Sequence, residues 1–187
     1  MPTPGETRGV RPLRPRAYLI TFHTFGTWLH GDDRGSVDRN HNRPGEPFVD
    51  ADPVRQGMEA SQLRHPPVIL DKSRRAVTEE AIRAVCRTRH WGLHALHVRT
   101  NHVHAVVSGD VTPERIMNDL KSWATRRMAE AGLLPKGVKA WARHGSTRYL
   151  WNDQAVAQAI DYVMNQQGAE LAGANGREQG QGGTAAP

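Results

Sequence analysis

Apolar positions along this 187-residue chain fall into a few short runs with different periods. Ala17 to Phe25 (AYLITFHTF) mixes aromatic and β-branched residues in alternation, the period-two signature of a strand. From Gly26 to about Pro67 that pattern breaks, with Gly, Asp, Asn and Pro scattered through GDDRGSVDRNHNRPGEPF. The stretch reads as a long loop with a polar insertion at about 30–67. Thr78 to about His90 has helical spacing: Thr78 is placed to cap, Glu79 and Glu80 fall in the first turn, and Ala81, Ile82, Val85 and Cys86 form a stripe. Arg87, Arg89 and His90 suit the negative C-terminal end, and Gly92 suits the stop. Leu93–Arg99 and His102–Val107 are two β-like runs joined through Thr100 and Asn101, which predicts a hairpin. Thr112 and Pro113 open a second helix striped by Ile116, Leu120, Trp123, Ala124 and Met128 and ended by Gly132. Arg148 to Trp151 reads as a last strand. Asn152 or Asp153 then caps a third helix with Val156, Ile160, Val163 and Met164 on its core side.

The resulting order is strand, helix, hairpin, helix, strand, helix. Two helices covering one face of an antiparallel sheet make an α+β, ferredoxin-like split sandwich, with the C-terminal helix and its Tyr162 at the other face. One domain over residues 16–168 accounts for the patterned part. Residues 1–15, rich in Pro and Arg, read as a flexible arm, and 169–187 as a disordered tail without an apolar face.

Composition narrows the class. No run of eighteen apolar residues is present, so no membrane partner is expected. The N-terminal stretch lacks the apolar segment of a secretory signal, and the single Cys86 makes no internal disulfide, so a cytoplasmic setting is expected. The formal charge is +6 and the pI about 10.1. Between Val68 and Leu150 there are 15 Lys/Arg against 7 Asp/Glu, so the surplus lies in the same part of the chain as the candidate chemistry. A basic domain of this kind points to a polyanion, although a soluble basic enzyme has the same balance.

Strand alternation puts His102, His104 and Val106 on one face and Val103, Ala105 and Val107 on the other. Two imidazoles one strand-repeat apart suit two ligands of one metal ion, though such a pair on an open sheet face is more often ordinary surface. Tyr162 and Gln166, four residues apart, project from one side of the last helix, on the flank of its apolar stripe. Taken alone, Tyr162 is an amphipathic boundary residue and Gln166 a common helix former.

Together these runs resemble a known family. NHVHAVV (Asn101 to Val107) is similar to the Asn-His-x-His strand of the single-tyrosine HUH transposases, the IS200-like and REP-associated tyrosine transposases. DYVMNQQ (Asp161 to Gln167) resembles their C-terminal helix, where a nucleophilic tyrosine precedes a glutamine by four residues. TFGTW (Thr24 to Trp28) is also similar to this group, and the resemblance covers roughly residues 16–168. The chain departs from it in the polar stretch after Trp28 and in Arg99-Thr100, where the family more often has Met-Pro. The resemblance implies a metal-dependent nuclease and strand transferase acting in DNA transposition and recombination. It implies Mg²⁺ or Mn²⁺ on His102, His104 and Gln166, and attack by Tyr162 to give a 5′-phosphotyrosine and a free 3′-OH. A phenol ionises near pH 10, so it needs help, which the field of the implied metal can supply. The implied partner is single-stranded or hairpin DNA, bound by a monomer or a homodimer.

Supporting residues are candidates of a second rank. Asn101 either shapes the turn or braces a ligand. Arg74, Arg75, Arg83, Arg87, Lys121, Arg126, Arg127, Lys139, Arg143 and Arg148 are candidate phosphate contacts, each with the alternative of a solvated charge. Trp141, Tyr149 and Trp151 interleave with them as candidate stacking platforms, with core packing as the alternative. Rival functions are a zinc site adding His94 and His97, a replication initiator or relaxase, and a domesticated DNA-binding protein that keeps the fold without cutting. Alternation would put His94 and His97 on opposite sides, which disfavours zinc.

Overall fold

The computed structural model describes residues 14–32 and 50–165; nearly all of the predicted arm, residues 33–49 of the insertion, Gln166 and the tail lie outside them. In chain order the elements are β1 (Ala17–Thr24), α1 (Pro53–Ser61), α2 (Lys72–Thr88), β2 (Gly92–Val98), β3 (His102–Ser108), α3 (Pro113–Glu130), β4 (Trp141–Leu150) and α4 (Asp153–Asn165). The four strands pair antiparallel in the order β2-β3-β1-β4. This is the split βαββαβ arrangement expected from the pattern, an α+β sandwich.

Strand parity divides the interior into two cores. Ile20, Phe22, Val103, Ala105 and Val107 face one way and meet Ile82 and Val85 of α2 and Ile116 and Leu120 of α3. Ala17, Ala95, Val106 and Leu150 face the other way and meet Ala159 and Val163 of α4. Central β3 is thus covered on both sides, which its run of apolar residues requires. Asn152 begins α4 by accepting the Ala155 amide through Oδ1 at 2.8 Å.

The structure corrects several boundaries. Helix α2 starts at Lys72, capped by Asp71, whose Oδ1 accepts the Arg74 amide at 2.9 Å. Thr78 is no cap: it is buried inside the helix, with its hydroxyl against Met128 Sδ at 3.6 Å. The earlier turns are polar and show no stripe. Gly92 opens β2, and the left-handed residue that ends α2 is His90, at φ 56°. The expected loop contains α1, capped by Asp52, with no buried residue and therefore no apolar period to read. Strand β4 spans ten residues, not four. Met164, expected in the core, is 57% exposed.

Candidate active site

Because Val106 anchors the α4 side of β3, the same parity places His102 and His104 beneath α4. Their ring centroids are 4.6 Å apart at an interplanar angle of 85°. Val163 is fully buried and Ala159 nearly so, and these two seat α4 on the sheet. Tyr162, one residue from Val163, lies on the flank of that contact, 40% exposed. Its ring centroid is 5.8 Å from that of His104, at 82°. One chain therefore brings the phenol and the imidazole pair together.

Each imidazole is oriented by an oxygen. His102 Nδ1 is 2.7 Å from Asn101 Oδ1, and His104 Nδ1 is 2.8 Å from Thr21 Oγ1, its register partner on β1. The amide oxygen can only accept, so His102 donates from Nδ1, and in the neutral ring the lone pair is then at Nε2. Burial first, then the neighbouring His104 and His23, push His102 down to about 3, so this ring is uncharged at neutral pH. An uncharged ring braced at Nδ1 is the form in which imidazole binds metal. Asn101 does more than shape its turn. Its carbonyl also accepts the Thr24 amide at 2.9 Å and the Thr27 hydroxyl at 3.3 Å, tying the hairpin to the end of β1.

Donor chemistry and bracing therefore fit a divalent cation on His102 and His104. Among the described residues no group of three His, Cys, Asp or Glu side chains could hold a metal ion. Gln166, the residue nominated as third ligand, lies outside the described residues.

Sequence reasoning missed His23 on this face and wrongly set His97 aside. His23 pairs with His102 across β1–β3, ring centroids 5.3 Å apart, and packs against Trp28 at 4.2 Å. His97 pairs with His104 across β2–β3, and its Nδ1 is 3.2 Å from the Val163 carbonyl of α4. Parity along β1 would have found His23, two residues from Thr21. The expected opposition of His94 and His97 fails because β2 bulges between Leu93 and Ala95, and His94 Nε2 instead meets Ser108 Oγ at 2.9 Å. Arg99 was not nominated either; it is buried in the hairpin and its charge bears on His102.

The nominated cations separate clearly. Lys121 is buried and donates to the carbonyls of Ala142, Arg143 and His144 at 3.1, 3.5 and 3.2 Å, so it braces β4 and has no ammonium to offer a phosphate. Burial, and secondarily Lys139, push its ammonium down to about 8. Arg74 is tied to the carbonyls of Leu133 and Ile69 at 2.9 and 2.8 Å. Arg83 pairs with Glu79 and Arg127 with Glu130, while Arg126 lies over Trp123 and Lys139 over Phe25. Half-buried Arg75 and exposed Arg87 stand on α2, in the layer away from Tyr162. Arg143 is exposed on β4. Only Arg148 shares with Tyr162 the lining of a cavity of about 340 Å³, between α4 and strands β1 and β4.

Trp141 is 5% exposed and its indole donates to Lys121 O and Thr125 Oγ1, both at 3.0 Å, which makes it core and removes it as a stacking platform. Tyr149 and Trp151 are exposed and stacked on each other at 5.8 Å and 17°, beside Tyr18. Tyr18 belongs to the core on the α2–α3 side, so this stack is on the face away from Tyr162.

The profile of the family described as "Transposase IS200 like" matches residues 64–167, more than half of the chain. Among solved structures, the chain is similar to the REP-associated tyrosine transposase bound to a REP hairpin, at 14% identity and a TM-score of 0.46, covering 82% of this chain and 68% of that one. It is also similar to a candidate transposase from Deinococcus radiodurans R1, at 16% identity and a TM-score of 0.47, covering 88% and 99%. No curated protein sequence matches it.

Proposed function

The chain belongs to the IS200-like transposase family, and on that premise we propose that it nicks and rejoins single-stranded DNA through Tyr162. The observation that carries this reading is the 5.8 Å approach of the Tyr162 ring to that of His104 within one chain. It supports a site completed by the chain's own helix.

The Tyr162 oxygen attacks the scissile phosphorus as the bond to the 3′ oxygen breaks. The phenol proton is lost, the leaving oxygen gains one, and the products are a 5′-phosphotyrosine and a free 3′-OH. Rejoining is the reverse attack by a 3′-OH; the phosphoester energy is kept in the covalent link, so no nucleotide triphosphate is needed. His102, His104 and Gln166 would hold Mg²⁺ or Mn²⁺, which offsets charge on the phosphate oxygens. Asn101 and Thr21 fix the two rings, and the fully buried Val163 fixes the helix turn that presents the phenol. Two nitrogen ligands favour Mn²⁺ over Mg²⁺ in affinity. The partner in this reading is single-stranded or hairpin DNA.

The test is covalent trapping with hairpin-bearing single strands taken from either side of the coding region. Wild type with Mn²⁺ should give an adduct that survives denaturing electrophoresis, and Tyr162→Phe should give none. His102→Ala and His104→Ala should lose the adduct and keep most DNA affinity, which resides in phosphate contacts. Equal DNA binding by wild type and Tyr162→Phe with no adduct from either would replace this reading with a DNA-binding protein that does not cut.

A further inference from the structure

We propose that the cavity beside Tyr162 seats one unpaired nucleotide adjacent to the cleaved phosphate, with Arg148 on its phosphate and Gln158 at its base edge. The proposal rests on the nicking reading for the identity of the strand and on the cavity for the rest.

The sheet register locates the cavity relative to the imidazoles. Thr21 pairs with His104 on one side and Ser146 on the other, so one cross-strand row runs from the imidazole to the cavity wall. The next row runs Val106, Leu19, Arg148. Strands are about 4.8 Å apart, so Arg148 starts roughly 10 Å from β3. A phosphodiester neighbouring one held over the imidazoles is within reach of its long side chain. Among the described residues no hydrogen bond or ion pair occupies the Arg148 guanidinium, unlike Arg74, Arg83 and Arg127.

The volume and lining suit one nucleotide. At about 340 Å³ the space is at the small end of ligand sites, which run from about 300 to 1,000 Å³. Leu19, Ala155 and Ala159 give it an apolar floor against which a base can lie. Gln158 is exposed and stands four residues before Tyr162, so its amide is one helical turn from the phenol on the same flank. An amide both donates and accepts, which lets it distinguish base edges as a cation cannot.

The test is fluorescence anisotropy on the full chain with oligodeoxyadenylate, oligodeoxycytidylate and oligothymidylate strands of equal length over a salt series. Arg148→Ala should weaken binding to all three by about tenfold, as expected for a charge-assisted contact. It should also reduce the slope of log K against log salt by about 0.7, the value of one phosphate contact on a single strand. Arg148→Lys, which keeps the charge, should retain the slope and guards against a folding defect in the alanine variant. Gln158→Ala should change the affinity ratios among the three strands and leave the slope. Arg127→Ala is the control for a charge already paired on α3. An Arg148→Ala slope equal to that of the control would overturn the phosphate role. Equal affinity of the unmodified chain for all three strands, or unchanged ratios in Gln158→Ala, would overturn the base-edge role. The trapping assay separates the two readings: an adduct with no effect of either substitution sinks the pocket alone, whereas both effects without any adduct sink the nicking alone.

Discussion

The hydrogen bond from His102 Nδ1 to Asn101 Oδ1, at 2.7 Å, allows the metal reading to be tested apart from the fold. Asn101→Ala removes the acceptor and leaves the imidazole in place. Both residues are half-buried, so water can take over part of the lost bond, and the stability cost should stay near 1 kcal/mol, the net worth of an ordinary hydrogen bond. Metal affinity should respond more strongly. An oxygen behind a ligating imidazole fixes its tautomer and raises its basicity, and losing it typically costs about 10- to 100-fold, or about 1.4–2.7 kcal/mol. Asn101→Asp should act in the opposite sense, because a carboxylate behind the ring strengthens Nε2 as a donor. Mn²⁺ titration calorimetry on the full chain gives the affinities, and the Mn²⁺ concentration giving half-maximal adduct should move with them. Asn101→Ala should regain most of its adduct at high Mn²⁺, which His102→Ala should not. An unchanged Mn²⁺ affinity in Asn101→Ala, with the fold intact, would mean that His102 does not bind the ion through the braced ring.

What could be read from the sequence depended on whether a residue's surroundings repeat with the element's own period. The parity of β3 sufficed to put His102 and His104 opposite Val103, Ala105 and Val107, and the stripe of α4 sufficed to place Val163 inward with Tyr162 on the flank. Helix α1 left no such trace. It buries nothing and is held by its Asp52 cap and by His30, whose ring nitrogen is 2.7 Å from Glu59 Oε1. Strand β4 was legible only at its end, because WARHGST is mainly exposed and skips register opposite Phe22 and Thr24. Its Gly145 is fixed by close approach: a Cβ there would meet Met117 Sδ and the Thr21 carbonyl at 2.5 and 2.6 Å. Pairing across strands was also invisible, and it is pairing that brings His23 and His97 to the imidazoles. Charge and aromaticity say nothing of burial, which is why Lys121 and Trp141 were nominated for DNA and are found bracing each other and β4.

Two further predictions probe what holds this site. Lys121 has its ammonium pushed down to about 8 in the fold, against 10.5 in a free chain, so between those pH values the unfolded state binds more protons and stability rises with pH. Lys121→Met should abolish that rise, at most about 3 kcal/mol, in denaturant unfolding at about pH 7.5 and 10; parallel pH profiles for the two proteins would refute the burial argument. Val163→Ala removes two methyl groups from a fully buried position, at a cost of about 2 kcal/mol with its share of cavity. Helix α4 meets the sheet chiefly through Val163 and Ala159, so the loosened contact should reach the neighbouring Tyr162, where misplacement by about 1 Å can slow chemistry about 100-fold. Adduct formation measured well below the melting temperature should therefore fall far more than the folded fraction does, whereas truncation of exposed Met164 to alanine should alter neither. If Val163→Ala loses the stability and keeps its trapping rate, the phenol is positioned by something other than the packing of this helix, and the 5.8 Å approach to His104 loses its mechanistic meaning.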